Sequence, residues 1–403
     1  MEKKKKGWVR ARHQAVRNLV YLGLKLHTRR KYHVRIEKFK AQKKRPYLIV
    51  FNHQTAYDQF FVSLACPKHV YYLASEDLFS NGWVSKLLRW AFAPIPIKKQ
   101  ATDPRAVLNC LRVKKEGGTI ALSPEGNRTF SGRTGYMKDA IVGFVRALKM
   151  PLAFFRIEGG YGVQPRWSDC TRKGKMRCYV SKTMEVEEYQ KLSDEELFNI
   201  IQAELYVDEG KADGEYRHKQ SAQYLERSAY YCPDCGLSTF ESAKDIITCQ
   251  KCGKQVRYMP DKTLQGVNCD FPYRFYADWY DAQSDYLNGL DVMSMTETPL
   301  YRDTAQFSEV VLYENKRLIS EKANILLFGD RVEIETDKER LIMPFADISV
   351  ASVLGRNKLN LYFNGKVYQL KGAPRFNALK YVQICYRAKN QQKGDENGKF
   401  LGL

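Results

Sequence analysis

Between residues 46 and about 190, apolar runs of four or five residues alternate with longer segments of helical spacing. That alternation restricts the first half of the chain to an α/β sheet. Residues 47–51, 70–74, 119–122 and 151–155 read as strands; residues 59–65, 83–92, 103–116 and 140–148 read as helices. Pro104 suits a first helical turn and Gly117-Gly118 a helix end. The stretch from Ala93 to Lys99 holds two prolines, which leave few amide donors, so it is an edge strand or an extended loop. Ser193 with Glu196 makes a capping box for a helix running to about residue 207, where the domain closes.

Two polar turns stand at strand ends. The first, Phe51-Asn52-His53-Gln54-Thr55-Ala56-Tyr57-Asp58, holds a histidine and an aspartate five apart. On one regular helix such residues lie about 140° apart and do not share a face. They meet only if His53 lies in the turn and the helix carries Asp58 back toward it. The carboxylate would then hold one imidazole nitrogen as N–H and leave the other as a base. The second turn, from Ser123 through Glu125, Gly126, Asn127, Arg128 and Thr129 to Gly132, offers a carboxylate, a guanidinium and three hydroxyls. A guanidinium grips phosphate in a fork, and glycine lets the backbone approach. A plain Glu125–Arg128 ion pair is the alternative use of the same residues.

His53 with Asp58, then Pro124-Glu125-Gly126 with Arg128, then Met150-Pro151-Leu152 opening a buried strand, resembles the glycerophospholipid acyltransferases of the lysophosphatidate acyltransferase type. The resemblance covers roughly residues 45–205, and its specificity lies in the order of several motifs. It implies that His53 is the general base that takes the proton of the acceptor hydroxyl, and that Asp58 orients it. It places Glu125, Gly126 and Arg128 in the block that binds glycerol phosphate, with Asn127 and Thr129 beside it. Lys98 and Lys99 occupy the block where such enzymes usually carry an arginine for the same phosphate. Lysine keeps the charge but loses the bidentate fork. Phe154 replaces a second proline in the last motif. The implied reaction is acyl transfer from acyl-CoA or an acyl carrier protein to a lysophospholipid, most simply 1-acyl-glycerol 3-phosphate giving phosphatidate. Another acyl acceptor, or a non-catalytic lipid-binding scaffold on the same fold, are the competing expectations.

Charge is concentrated at one end. Of the formal net charge of +21, residues 1–45 supply a surplus of 15, with 17 Lys or Arg against Glu2 and Glu37. A basic end points to an anionic membrane surface or to nucleic acid. Trp8, Val9, Val16, Leu19, Val20, Leu22, Leu24 and Leu26 are interleaved with arginines and lysines at roughly helical intervals, which suits a helix lying at the lipid interface and equally one packed on the first domain. Cations interrupt every candidate signal core, and no window offers about 18 uninterrupted apolar residues. The expectation is a cytoplasmic protein peripherally associated with a membrane.

Further on, Cys232-Pro233-Asp234-Cys235 and Cys249-Gln250-Lys251-Cys252 form two C-x₂-C knuckles, each followed by glycine. Four thiolates at that spacing match a structural zinc ribbon. Ribbons also occur in nucleic-acid binders, but the basic residues lie far from this one and no aromatic–basic recognition motif accompanies it, so nucleic acid is the weaker partner. From about Tyr301 the period becomes two; Val332-Glu333-Ile334-Glu335 alternates, Asn364-Gly365 marks a hairpin, and residues 376–388 look helical. Antiparallel strands closed by a terminal helix resemble, in pattern, a pleckstrin-homology or GRAM-type module. Lys316, Arg317, Lys322 and Arg331 identify no pocket in it.

The expected organisation is therefore a basic amphipathic segment (1–45), an α/β acyltransferase domain of mixed sheet flanked by helices (46–208), a helical connector (209–230), a zinc ribbon (231–265), a linker (266–300), a mainly antiparallel PH-like domain (301–390) and a flexible tail (391–403).

Overall fold

The computed structural model describes residues 7–97, 103–311, 313–395, 398 and 400–402. The first half contains helices α1 (Ala11–Tyr32), α2 (Asp58–Ala65), α3 (Gly82–Phe92), α4 (Pro104–Lys115), α5 (Ala140–Leu148), α6 (Gly160–Val163), α7 (Val186–Tyr189) and α8 (Asp194–Leu205). Its strands are β1 (Val34–Ile36), β2 (Leu48–Phe51), β3 (Val70–Ser75), β4 (Ile95–Ile97), β5 (Thr119–Leu122), β6 (Leu152–Glu158) and β7 (Met176–Met184). They form one sheet in the order β1-β7-β6-β2-β5-β3-β4. The β6–β7 pair is antiparallel, whereas β2 pairs in parallel with both β5 and β6. The proline-bearing β4 is an edge strand, as the missing donors require.

Burial on both faces explains why β2 reads as a continuous apolar run rather than an alternation. Leu48 and Val50 enter a core with α4, α5 and α8, while Ile49 and Phe51 enter the opposite core against α2. Ser193 and Glu196 cap α8 reciprocally, and Asp103 accepts from the first turn of α4 behind Pro104.

The helix α1 departs from a simple amphipathic pattern. It buries His13, Thr28 and Tyr32, and it leaves Leu19 83% and Leu22 73% exposed. Trp8 and Val9 precede the helix, where the Trp8 indole donates to Ala93 O at 3.0 Å. Among the described residues no helix is long and apolar enough to cross a membrane.

Residues 215–227, expected to be helical, contain only a short 3₁₀ turn, Leu225–Arg227. Their backbone bonds go to distant partners instead: Tyr216 N to Pro260 O at 2.7 Å and Arg217 N to Lys173 O at 2.8 Å. Strands β8 (Tyr231–Cys232), β9 (Gly236–Leu237), β10 (Phe240–Ala243), β11 (Ile246–Cys249), β12 (Gln255–Tyr258) and β13 (Leu264–Gly266) build the two knuckles. The segment expected as a linker contains α9 (Tyr276–Gly289), with Trp279 and Leu287 buried.

The last part is an antiparallel sheet of β14 (Tyr301–Glu309), β15 (Arg317–Leu327), β16 (Arg331–Glu335), β17 (Arg340–Pro344), β18 (Ile348–Leu354), β19 (Lys358–Phe363) and β20 (Lys366–Gly372), closed by α10 (Ala378–Gln392). The order β17-β16-β15-β14-β20-β19-β18 keeps the seven strands in one curled sheet. The β19–β20 hairpin turns at Asn364 and Gly365, both at positive φ, as a two-residue Asn-Gly loop requires. In β16 the expected alternation fails, because Glu333 is buried, held by Arg331 at 2.6 Å and by Arg340. The end of the chain packs as well: Phe400 lies 4.6 Å from the Tyr136 ring and 5.5 Å from Tyr386, so the expected flexible tail docks at this point.

Candidate active site

Because β2 and β5 are parallel neighbours, the turns at their carboxyl ends lie side by side at the carboxyl end of the sheet, where open α/β sheets place their ligands. Asp58 is the first residue of α2, and the preceding turn folds His53 back over it. His53 Nδ1 stands 2.7 Å from Asp58 Oδ2. The carboxylate is fully buried and accepts also from the amides of Gln54 (2.7 Å) and Thr55 (2.9 and 3.0 Å) and from Thr55 Oγ1 (2.7 Å). An acceptor so surrounded by donors fixes Nδ1 as the protonated ring nitrogen and leaves Nε2 to accept. The imidazole is a quarter exposed. Its pKa is lowered, first by burial and further by Arg128 and Arg166, while Asp58 pulls it the other way.

The loop after β5 grips the backbone of His53 on both sides. Glu125 accepts from His53 N at 2.6 Å and from Gly135 N at 2.7 Å, and Thr129 N donates to His53 O at 3.2 Å. Both carboxylate oxygens of Glu125 are therefore engaged by amides, and the alternative ion pair with Arg128 does not form. Burial pushes Glu125 up to about 8 against the pull of those two donors. Gly126 has φ +67°, a left-handed conformation costly for a side-chain-bearing residue. Thr129 Oγ1 accepts from Gly132 N at 3.0 Å.

Arg128 is 9% exposed and touches Gly355 O through Nη2 at 3.5 Å, the limit of a hydrogen bond, while its Nη1 is buried without a partner among the described residues. Burial and the nearby Arg356 lower its pKa to about 10. Asn127 Oδ1 lies 3.5 Å from Nη2 of Arg166. The sequence reading missed Arg166, which stands in no recognisable motif, and it missed Gln54 and Thr55 as holders of Asp58. Lys98 and Lys99 lie outside the described residues. Thus His53, Asp58, Glu125, Asn127, Arg128 and Thr129 converge from two strand ends. A groove of about 730 Å³ lies elsewhere, lined by Leu26, Arg29, Arg30, His33, Val34 and Arg35 at the end of α1.

A second constellation is built by the two C-x₂-C knuckles. The sulfurs of Cys232, Cys235, Cys249 and Cys252 all lie within 4.8 Å of one another, with Cys232 and Cys252 at 3.7 Å. A tetrahedron of thiolates about 2.3 Å from a zinc ion has edges of about 3.8 Å, so the donor set and its spacing fit that metal.

Residues 32–157 match the family model described as Acyltransferase. A 1-acyl-sn-glycerol-3-phosphate acyltransferase of Bacillus subtilis (strain 168) is 23% identical over 130 residues, covering 32% of this chain and 62% of that protein. This chain thus spans less than two thirds of that relative. The crystal structure of the 1-acyl-sn-glycerophosphate (LPA) acyltransferase PlsC from Thermotoga maritima matches with 22% identity, over 49% of this chain and 80% of that one, at a TM-score of 0.40. The solution structure of the N-terminal PH domain of human ARAP2 matches with 14% identity, over 23% of this chain and 81% of that domain, at a TM-score of 0.19. The segment that carries His53, Asp58, Glu125 and Arg128 is thus the one that matches the acyltransferase family model.

Proposed function

We propose that this chain transfers an acyl group from a thioester donor, acyl-CoA or an acyl carrier protein, to the free hydroxyl of 1-acyl-glycerol 3-phosphate, giving phosphatidate. The observation that carries this reading is the 2.7 Å contact between His53 Nδ1 and a fully buried, multiply bonded Asp58. It leaves Nε2 as the base. The acceptor oxygen attacks the thioester carbonyl as its proton passes to Nε2. The tetrahedral intermediate then expels the thiolate, which takes up from the imidazolium the proton that the acceptor hydroxyl gave. Such a base contributes about 10²- to 10⁴-fold to the rate. The lowered pKa of His53 keeps the ring neutral and ready to accept a proton near neutral pH. The Nη1 of buried Arg128, without a partner among the described residues, supports an acceptor that carries phosphate. Lys98 and Lys99 would add charge to the same headgroup.

Helices α1 and α3 adjoin, with the Arg12 guanidinium 5.4 Å from the Trp90 ring. Leu19, Leu22 and Leu26 on α1 and Trp83, Leu87 and Trp90 on α3 are at least half exposed. With the basic residues around them, they suit an anionic membrane surface, where the acceptor resides. The four cysteines would hold a structural zinc, all of whose positions protein fills.

The test is His53→Ala in the full chain, assayed with a radiolabelled acyl thioester and lysophosphatidate. We expect loss of transfer by about two to four orders of magnitude with the fold intact. Equal transfer with and without the imidazole would sink the mechanism.

A further inference from the structure

Arg166 lies just beyond α6 and is 2% exposed, yet no carboxylate lies within ion-pairing distance of it among the described residues. Its donors go to backbone carbonyls instead. Nη1 donates to Arg128 O at 2.9 Å, Nη2 to Val353 O at 2.8 Å and Nε to Gly355 O at 3.3 Å, and its plane lies 4.2 Å from the Phe130 ring centre. One guanidinium therefore joins the loop after β5 to the end of β18 and the turn that follows it, 187 and 189 residues from Arg166 in sequence. Burying an unpaired cation is costly unless its hydrogen bonds are satisfied, and here three carbonyls and an aromatic face satisfy them. The turn is secured independently. Arg356 meets Asp169 at 2.9 Å, and Asp169 meets Arg227 at 2.7 Å. Gly355 itself has φ +62° and carries a carbonyl that faces both Arg128 and Arg166.

We propose that Arg166 is a positioning residue, and that the turn at residues 354–357 of the C-terminal sheet is a working part of the acceptor site. Arg166 ties the Arg128 carbonyl to that turn and so holds in place the Arg128 guanidinium, whose buried Nη1 has no partner among the described residues, for the phosphomonoester headgroup of the acceptor. This rests on the acyltransferase reading and extends it. The C-terminal sheet takes part in choosing the acceptor, through a contact made with the loop after β5 that also holds the His53 backbone.

Three full-length variants test this: Arg166→Gln, Arg166→Lys and Gly355→Ala. Each is checked for native unfolding temperature, then assayed for the KM of lysophosphatidate, the KM of the acyl donor and inhibition by glycerol 3-phosphate. Arg166→Gln should raise the acceptor KM and the glycerol 3-phosphate inhibition constant about ten- to hundredfold, with donor KM and kcat within about threefold. Lysine keeps the charge but cannot serve three carbonyls at once, so Arg166→Lys should recover part of that loss. A β-carbon at Gly355 meets nothing within 4 Å, so Gly355→Ala strains only the turn and should raise acceptor KM by a smaller factor; it carries the test if Arg166→Gln does not fold. An unchanged acceptor KM in a folded variant overturns the proposal, as does an equal rise for both substrates. Calorimetric titration of the full chain with glycerol 3-phosphate separates the two readings. Binding that depends on Arg166 without any acyl transfer would remove the catalytic reading and leave this one. Acyl transfer indifferent to Arg166 and Gly355 would remove this one alone, and a chain that neither binds nor transfers would overturn both.

Discussion

Asp58→Asn is the most informative single change in the site. Asp58 Oδ2 accepts from His53 Nδ1, Gln54 N and one branch of Thr55 N; Oδ1 accepts from Thr55 Oγ1 and the other branch. An asparagine oxygen placed where Oδ2 stands keeps the bonds to His53 and Gln54. The amide nitrogen then faces Thr55 Oγ1, which can rotate to accept. The fold and the imidazole tautomer survive, and the negative charge is lost. A charge-assisted hydrogen bond, about 1.5–3 kcal/mol, is about twice as strong as a neutral one, so the imidazolium loses about 0.8–1.5 kcal/mol of stabilisation as the proton arrives. That corresponds to a kcat about four- to twelvefold lower on the plateau of the pH profile. Asp58 raises the His53 pKa, so removing its charge lowers that pKa further. The base is active only when neutral; hence the acid limb of kcat/KM must move to lower pH while the plateau falls. Initial rates of radiolabelled acyl transfer between about pH 4 and 8 give both quantities. A plateau unchanged within twofold, or an acid limb displaced to higher pH, would refute the assigned role of Asp58.

Two other expectations concern the accessory parts. Freshly purified protein should hold one zinc per chain, and stripping it should lower the unfolding temperature of the whole chain, because Ile247 and Val256 of the ribbon share a core with the C-terminal sheet; substoichiometric metal with undiminished stability would count against the assignment. Replacing Trp83 and Trp90 together by alanine should weaken binding to anionic liposomes at least tenfold, and high salt should weaken the wild type, as measured by co-sedimentation; binding insensitive to both would exclude that face.

Much of the fold could be read directly from local pattern. The β2 run is short, apolar and closed by polar residues, and the structure ends the strand at Phe51 and starts the helix at Asp58. Asn364-Gly365 specifies its hairpin because the two-residue turn needs positive φ at both positions. Residues 215–227 misled because their charged composition suits a helix, whereas Tyr216 is drawn into the space beside Gly162 and Gly174, and Tyr224 adopts φ +65°. Glu333 misled for the opposite reason. Period-two reasoning assigns it to solvent, but Arg331 on its own strand and Arg340 on the paired one allow the carboxylate to be buried. In the site, the pairing of His53 with Asp58 was legible because the two lie five residues apart, whereas Gln54 and Thr55 were not, since they hold Asp58 largely through backbone amides. Arg166 was not, because its partners are carbonyl oxygens on two distant turns, and carbonyls carry no side-chain signature.

Phe130 and Trp167 come from the first half of the chain, yet they belong to the same apolar core as Trp279, Ile325, Leu361 and Leu379. A protease that cut after α8 and released the C-terminal half would uncover both rings, each of which hides about 150–250 Å² of apolar surface when buried. A fragment ending there would expose a sticky face and be prone to self-association. The halves of this molecule should therefore melt in a single transition, and the boundary drawn by motif would not be a boundary in a thermogram.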